Sequence, residues 1–198
     1  MNPFLGVTVG IVTNNKDPDG LGRVKVALPW LADDDETGWA RVLAPAAGKN
    51  RGIWFLPEVD DEVLVAFEHG DPASPYVLGG LWNGRDAPPE KNADGHNDVR
   101  MIRSRSGHVI RLVDASGKEQ IEIADKSGRN RIVVDTAKGT VTVTGDTDVV
   151  VEAAKGTLTL RGKDVAIKAQ QGVTVEGATV AAKAQARMTV KGQIVEIN

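Results

Sequence analysis

The sequence predicts an all-β chain: a small N-terminal barrel followed by a C-terminal stack of very short strands. Of the 198 residues 22 are glycine and only 4% are aromatic, which is typical of a β-rich chain with frequent turns. All 9 prolines and all 4 tryptophans lie at or before residue 89. Beyond residue 140, pairs of apolar residues recur at nearly constant short steps. We therefore expect two halves built to different rules.

Composition excludes several classes of function. The formal charge of −3 provides no field that would gather nucleic acid or an acidic membrane surface. With 0 cysteines, the chain has no disulfide, thiolate nucleophile or thiolate metal ligand. The first residues lack the basic start and apolar core of a signal peptide, and no run approaches the ~18 apolar residues of a membrane span. We expect a protein made in the cytoplasm without a signal peptide.

The N-terminal half contains five or six short runs with period-2 or continuous apolar character, separated by turn signals. These runs are VTVGIVTNN, GRVKVALPW, GWARVLAP, DEVLVAFEHGD and YVLGGLW. About five short strands without an amphipathic helix predict a closed barrel of the OB type over residues 1–84. Its core or edges would be supplied by Trp30, Trp39, Trp54, Trp82, Phe55 and Phe67. A polar, proline-bearing linker, 85–99, fits a domain boundary.

Residues 100–140 predict a meander of short strands that leads into the C-terminal stack. Apolar pairs occur at Ile110 and Leu112, at Ile121 and Ile123, and at Ile132 and Val134. Each pair is followed by an Asp and a Gly-containing turn.

Residues 141–198 carry a repeat of nearly eight residues. Apolar pairs recur at Val141 and Val143, Val149 and Val151, Leu158 and Leu160, Val165 and Ile167, Val173 and Val175, Val180 and Ala182, Met188 and Val190, and Val195 and Ile197. The two members of a pair point to one face of a strand, while the mostly small or polar residue between them points to the other. One face of each strand is therefore expected to be buried and the other exposed to solvent.

A unit of eight residues holds one short strand and one corner, which is too little to wrap around its own core. Burying a large apolar side chain is worth about 1.5 to 3 kcal/mol. An arrangement that leaves every pair exposed to water is therefore much less stable than one that buries the pairs. Three chains wound together cover all the pairs and remove exposed strand edges. We therefore favour an intertwined homotrimeric β-helix, or β-prism, over 141–198, with the sixteen paired residues as its core. A single-chain β-solenoid and a β-sandwich remain alternatives.

Residues 20–84 closely resemble the OB-fold domain of the spike proteins of contractile injection systems. This family includes phage baseplate spikes of the baseplate assembly protein V type, the VgrG spikes of type VI secretion, and spikes of extracellular phage-tail-like particles. The matching segments are GLGRVKV, GWARV, PEVDDEVLVAFEHGD and PYVLGGLWNG, in that order. Residues 103–123 also resemble the segment that leads into the family's β-helix.

The resemblance implies a trimeric needle at the front of a contractile tube, driven into a target envelope when the sheath shortens. VgrG-type chains carry a large N-terminal hub domain, whereas this sequence begins close to its first barrel strand, so the expected partner of the barrel is a separate hub or baseplate protein. By the same analogy, a PAAR-type tip protein would cap the C-terminal end. The inner tube would be contacted indirectly and the target membrane transiently. The protein is thus expected in a phage-tail-like particle, released or secreted with it.

The sequence predicts no catalytic, metal-binding or cofactor-binding residues. The acidic runs at 33–36 and 60–62 resemble acid/base or cation sites, but are more simply a solvated loop and a hairpin flank. The segment 94–98 lacks the length and the bidentate glutamate of a calcium loop. No His lies after His108, so the His-x-His tip of some phage spikes is absent, and the chain has no room for their lysozyme insertion.

Two further features have simple structural interpretations. Gly20 and Gly22 mark a turn rather than a phosphate-binding loop, since no helix follows. Arg100, Arg103 and Arg105 form the only basic cluster, and no aromatic residue is interleaved with them. We expect these arginines to pair with acidic groups of a neighbouring subunit rather than with nucleic acid.

Three functions compete at this point. The leading one is a non-enzymatic spike whose role is stiffness, docking and envelope penetration. The alternative is an OB-type module that binds oligosaccharide or single-stranded nucleic acid. An enzyme on a β-helix would need a longer solenoid with acids or bases clustered in a groove.

Overall fold

A computed structural model describes residues 5–30 and 36–196. The chain divides into two compact units, Met1–Asp146 and Thr147–Asn198. In the described part of the first unit the only helical element is a single 3-10 turn at Glu68–Gly70. The all-β prediction is confirmed.

The N-terminal strands form a closed barrel, as predicted. Its five strands are β1 (Val7–Asn14), β2 (Arg23–Ala27), β3 (Ala40–Val42), β6 (Glu62–Phe67) and β7 (Pro75–Gly80), and the β3–β6 connection contains the two-residue strands β4 (Ala47–Gly48) and β5 (Arg51–Gly52). Around the barrel the order is β1-β2-β3-β7-β6. The β3–β7 pairing is parallel and the other pairings are antiparallel. A five-stranded closed barrel is the architecture of the OB fold.

The barrel core consists of small aliphatic side chains and not of the aromatic residues. Its buried members alternate along the strands and are Val12, Val24, Val26, Leu28, Ala40, Val63, Val65 and Val77. Among the aromatic residues proposed for the core or edges, Phe67 packs against this cluster, whereas four others are 50% to 72% exposed, namely Trp30, Trp54, Phe55 and Trp82. The narrow interior of a five-stranded barrel is filled by valines, which leaves indole rings on the surface.

The region after the linker is a five-stranded antiparallel meander. Its strands are β8 (Val99–Arg103), β9 (Val109–Val113), β10 (Gln120–Ala124), β11 (Arg131–Asp135) and β12 (Thr140–Thr144). Each strand pairs only with its neighbours in sequence, so the sheet order is β12-β11-β10-β9-β8. The sheet covers the region 100–140 that was predicted to form a meander and extends past it, since its last strand contains Val141 and Val143, the first pair predicted for the β-helix.

The second unit contains turns and bends, and no strand is assigned between residues 147 and 196. This differs from the strands expected there, because a β-ladder forms only where the backbone of one strand bonds to that of another. The C-terminal β-helix therefore remains a prediction.

The predicted core residues of the second unit are exposed in the single chain, whereas the sequence predicts them to be buried in a trimer. The described ones are Val149, Val151, Leu158, Leu160, Val165, Ile167, Val173, Val175, Val180, Ala182, Met188, Val190 and Val195. Ile197, the last residue of the predicted core, lies outside the described residues. A single chain has nothing to place over these side chains, so their role as a trimer core stays a prediction.

Candidate interaction surfaces

One face of the five-stranded sheet is lined by apolar side chains from all five strands. Because alternate residues of a strand share a face, the antiparallel register aligns them in two cross-strand rows. The first row is Ile102, Ile110, Ile123, Ile132 and Val143. The second row is Arg100, Leu112, Ile121, Val134 and Val141. The nine apolar residues of these rows are called the apolar sheet face below.

The apolar sheet face is open to solvent in the single chain. Apart from Val134, which is half-buried, its side chains are between 42% and 70% exposed. Isolated exposed apolar residues are ordinary, but a contiguous patch across five strands is typical of an interaction surface. The predicted pairs of the meander thus share one face, and that face lacks a cover in the chain alone.

The opposite face mixes charged groups with apolar ones, and its apolar side chains Val99, Val109 and Val113 are half-buried. The central row there is Met101, Arg111, Glu122, Val133 and Thr142. In the middle of the sheet, the Nε of Arg111 donates to Oε2 of Glu122 at 3.1 Å, and Nη2 of the same guanidinium donates to the same oxygen. The Glu122 side chain is only 13% exposed, so this ion pair satisfies a carboxylate that is largely shielded from water.

Carboxylates fix two hairpin turns of the sheet. The Asn130 amide donates to Asp125 at 3.0 Å and the Ser127 hydroxyl donates to it at 2.8 Å, which lowers the pKa of Asp125 to about 2. The Lys138 ammonium donates to Asp135 at 2.8 Å and lowers the pKa of that carboxyl as well. Hydrogen bonds to the ionised form favour it, so both carboxylates are charged at neutral pH and hold their turns.

A shielded carboxylate organises the loop between β1 and β2. Asp17 accepts from Nη2 and Nε of Arg23 at 2.7 and 2.9 Å, and its side chain is only 4% exposed. It also accepts from the backbone N–H groups of Asp19, Leu21 and Arg23. The Arg23 guanidinium is the main reason that the pKa of Asp17 is held well below its usual range. The predicted turn is confirmed, with φ near +70° at both Gly20 and Gly22.

An exposed apolar cluster lies beside this loop, and sequence reasoning missed it. Its large side chains are between 44% and 72% exposed and are Leu21, Leu43, Ile53, Trp54 and Phe55. They line an open cavity of about 640 Å³. The signal in the sequence was the run GIWFLP, in which large apolar residues follow one another after a Gly/Asn turn without strand alternation.

Two of the three arginines of the basic cluster pair within the chain, which differs from the expected pairing with a neighbouring subunit. Arg100 Nη1 lies 2.6 Å from Asp114 Oδ2, and Arg105 Nη1 lies 3.1 Å from Glu58 Oε2. The second pair joins the β8–β9 turn to the segment before β6. All four side chains are more than half exposed, so these pairs orient the chain more than they stabilise it.

The acidic runs have structural partners where the structure describes them. Glu36 accepts from the Lys25 ammonium and the Thr13 hydroxyl, each at 2.5 Å, and these bonds lower its pKa. Asp61 caps a turn by accepting from the backbone N–H of Glu58 at 2.8 Å. Residues 33–35 of the first run lie outside the described residues.

The described residues contain neither a metal-ligand cluster nor a membrane-spanning helix. Over 5–30 and 36–196, no three His, Cys, Asp or Glu side chains converge as a metal site would require. Within the same residues, no helix has the length and hydropathy needed to cross a bilayer. The pocket along the 94–98 segment, about 260 Å³, is lined by polar and acidic residues together with Ala93 and Val99. Asp94 and Asn92 accept turn hydrogen bonds there from the backbone N–H groups of His96 and Asn97.

Comparison with known families identifies the barrel. Residues 8–82 match the model of the type VI secretion system/phage-baseplate injector OB domain. This range spans nearly all of the five barrel strands. The barrel therefore matches the OB domain of that family, in agreement with the motif series in the sequence.

Relatives extend the similarity beyond the barrel. The chain is 30% identical to the type VI secretion system spike protein VgrG1a of Pseudomonas aeruginosa over 150 residues, covering 70% of this chain. It is 33% identical to VgrG1b of the same organism over 130 residues, or 60% of this chain. It is 28% identical over 128 residues to the actin cross-linking toxin VgrG1 of Vibrio cholerae serotype O1, again 60% of this chain. The predicted resemblance to VgrG-like spike proteins is confirmed.

The chain matches only a part of these relatives. It spans 23% of VgrG1a, 18% of VgrG1b and 12% of the actin cross-linking toxin. The match therefore does not assign the functions of the full-length relatives to this chain.

Proposed function

We propose that this protein is the non-enzymatic central spike of a contractile injection system or phage-tail-like particle. It acts as a homotrimeric needle that docks on the hub and tube and pierces the target envelope. The injector-type OB barrel and the similarity to proteins named as spike proteins support this role.

The observation that carries the proposal is the exposure of the repeated apolar pairs. Among the predicted core residues of 141–196, all the large side chains are between 51% and 70% exposed in the single chain. The second members of the pairs are as exposed as the first. Their exposed fractions are 66% for Val151, 68% for Leu160, 70% for Ile167, 70% for Val175 and 65% for Val190. The small Ala182 is exposed as well. Burying each large side chain is worth about 1.5 to 3 kcal/mol. Two further copies of the same chain would cover every pair in the same way, because the repeat presents equivalent positions to the axis at each level.

An intertwined trimer also accounts for the lack of assigned strands between residues 147 and 196. In such a prism, the backbone N–H and C=O groups of one wall bond to neighbouring chains, so a lone chain has no partner with which to form a ladder. The proposed domains are a barrel over 1–84, a linker over 85–99, a meander over 100–140 and a spike over 141–198.

The proposed partners follow from the spike role. The barrel would bind a separate hub or baseplate protein and contact the inner tube indirectly, and a PAAR-type tip protein would cap the C-terminal end. The protein would then be part of a phage-tail-like particle and meet the target membrane transiently. Nucleic acid is not among its proposed partners.

Light scattering on the purified protein tests the trimer. The expected mass is three times the chain mass of 21.0 kDa, and a particle with the mass of one chain overturns the proposal.

A matched pair of variants locates the association within the repeat. Val173→Lys places a charge at a predicted core position, whereas Thr174→Lys changes the next residue, which is predicted to point to the other face. The first variant should lower the midpoint of thermal dissociation of the trimer strongly, and the second should leave it nearly unchanged. Equal effects would contradict the proposed facing of the repeat.

A second function, OB-type binding of oligosaccharide or single-stranded nucleic acid, is favoured by one observation. Trp54 and Phe55 are 72% and 66% exposed, and the exposed basic residues Lys49 and Arg51 precede them. Aromatic stacking combined with positive charge is how such ligands are held. Titration with oligothymidine and with chito-oligosaccharide, followed by tryptophan fluorescence, decides it: a saturable change supports binding, and an unchanged signal rejects it.

A further inference from the structure

We propose that residues 53–56 of the barrel form a docking edge that pairs with one extended strand of another protein, and that this strand carries acidic and apolar side chains. The inference rests on the proposed docking of the barrel on a separate hub or baseplate protein, and it gives that partner a surface and a chemistry. Besides the docking edge, the surface includes the exposed apolar cluster and the basic β4–β5 hairpin.

The docking edge has a row of backbone groups without hydrogen-bond partners. It follows β5 and runs to Pro57 without a turn or a bend. At its start, the backbone N–H of Ile53 donates to the Ala46 oxygen at 3.0 Å. Within the part of the chain that the structure describes, the N–H groups of residues 54–56 donate to no acceptor, and no group donates to the carbonyl oxygens of 53–56. An exposed row of this kind is what an added β-strand pairs with.

The side chains of the docking edge alternate as those of a strand do. Trp54 lies over Gly22, and Leu56 packs against the barrel core. Since neighbouring residues of an extended chain point to opposite sides, Ile53 and Phe55 point to the side away from the core. They are 44% and 66% exposed. A strand added along this edge would therefore meet two apolar side chains that the chain itself does not cover.

The open cavity of the exposed apolar cluster provides room for an anchoring side chain of the partner. It measures about 640 Å³, and the docking edge forms part of its lining. Leu21 and Leu43, which also line it, are 69% and 65% exposed. Protein interfaces are held mainly by a few large side chains that fill such pockets. The partner strand is therefore expected to carry large apolar residues.

The charges beside the docking edge favour an acidic partner. Between residues 38 and 57 the sequence has three basic residues and no acidic one, although the whole chain has a formal charge of −3. Lys49 and Arg51 are exposed, and neither forms an ion pair with a residue that the structure describes. In contrast, Arg23 and Lys25 of β2 are paired with carboxylates of the barrel. Carboxylates of a partner would complement the two unpaired charges.

A protein strand fits this surface better than a nucleic acid or a sugar does. Single-stranded nucleic acid is held by bases that stack on aromatic rings and by phosphates that follow a basic groove. Here the Trp54 ring already lies against Gly22, and the neighbouring Leu21 and Leu43 are aliphatic. A second peptide backbone, in contrast, presents donors and acceptors at the spacing of the unpaired row. Pro57 has no N–H and ends the edge, so the added strand should pair over about four residues.

Binding of short labelled peptides to the full chain, followed by fluorescence anisotropy, tests the surface. The probe is a blocked peptide in which valine and glutamate alternate. Its controls are the same peptide with an N-methylated backbone and a peptide in which valine and lysine alternate. The charge-reversal variant carries Lys49→Glu and Arg51→Glu. Its matched control carries Arg85→Glu and Lys91→Glu, at two exposed basic residues of the linker.

The unmodified protein should bind the valine–glutamate peptide saturably. The charge-reversal variant should bind it at least ~10-fold more weakly and should gain binding of the valine–lysine peptide, because its charges complement that peptide instead. The linker variant should bind as the unmodified protein does. N-methylation should abolish binding, since the probe can then no longer pair along the edge.

The mass of the particle by light scattering separates this inference from the proposed spike. A three-chain particle that does not bind the probe, or that binds the N-methylated peptide equally well, overturns the inference and leaves the spike intact. Binding by a single-chain particle supports the surface and overturns the trimer. If only the charge-reversal variant falls to the mass of one chain, copies of this chain cover the edge and the inference is overturned. Binding of oligothymidine or chito-oligosaccharide that the same two substitutions abolish would also overturn it, in favour of the second function.

Discussion

The indole ring of Trp54 lies against Gly22, so close that a Cβ at position 22 would come within 2.7 Å of the ring. Gly22 is also in the left-handed region, with φ +71°. Asp17 and Arg23 hold the loop that presents this glycine. The exposed apolar cluster of the barrel therefore rests on a loop that side-chain hydrogen bonds hold in place.

Gly22→Ala should destabilise the barrel more than Gly20→Ala. Both positions have φ near +70°, and a side chain there costs about 1 to 2 kcal/mol. Only at Gly22 would the new Cβ also overlap the Trp54 ring, since nothing lies within 4 Å of a Cβ at Gly20. Urea unfolding followed by tryptophan fluorescence measures the difference. In a Trp54→Ala background the two substitutions should become equal, and a persistent difference would mean that the ring is not its cause.

Asp17→Asn should destabilise the barrel at neutral pH and reduce its sensitivity to acid. The pKa of Asp17 is lowered chiefly by Arg23, so the stability that it contributes is fully present above the usual aspartate pKa of about 4 and is lost as the pH falls below it. Urea midpoints between about pH 7 and about pH 2 should show a steeper fall for the parent protein than for the variant.

Asp19→Asn provides the comparison for Asp17. Asp19 also contacts Arg23, at 2.5 Å, but its side chain is 64% exposed, so its loss should matter less. If the two variants had the same pH profile, the shielded geometry of Asp17 would not be the source of the acid dependence.

Asn130→Ala should raise the pKa of Asp125 above its value of about 2. The Asn130 amide donates to the carboxylate at 3.0 Å, and removing a donor to the ionised form makes that form less favourable. An NMR titration of the side-chain carboxyl measures the shift. Ser116→Ala, in the preceding turn, is the control and should leave the titration of Asp125 unchanged.

Arg111→Met should cost about 1 to 3 kcal/mol of stability, because it leaves the shielded Glu122 carboxylate without its partner. Glu122→Gln alone should cost less, since a neutral amide needs less solvation. The double variant with Arg111→Met and Glu122→Leu should recover part of the loss, because two apolar groups replace the pair. Thermal unfolding followed by circular dichroism measures the stability of the three variants, and a double variant no more stable than Arg111→Met alone would contradict the coupling of the two side chains.

Periodicity was enough to predict the barrel strands and the meander. Val24 and Val26 alternate with charged neighbours in β2, and pairs such as Ile121 and Ile123 share a face because a strand repeats every two residues. These predictions depend on local geometry alone. The same reasoning placed the glycine turn at Gly20 and Gly22, where positive φ is required.

The positions of side chains that depend on tertiary structure could not be predicted from periodicity. Hydrophobicity left open whether Trp54 belongs to the core or to the edge of the barrel, and the structure places its exposed ring over Gly22. Arg105 reaches Glu58, 47 residues earlier in the chain, and no spacing rule predicts that pair. Both outcomes depend on which loops meet after the strands have closed.

The meander order of the five-stranded sheet determines when the sheet can fold. Because every strand of Val99–Thr144 pairs only with the strands next to it in sequence, all its pairings are local and its loops are short. Such a topology carries a low entropic cost of closure and folds fast. We expect each nascent chain to complete this sheet by itself while it is being synthesised, so that the proposed association of copies would begin with sheets already formed.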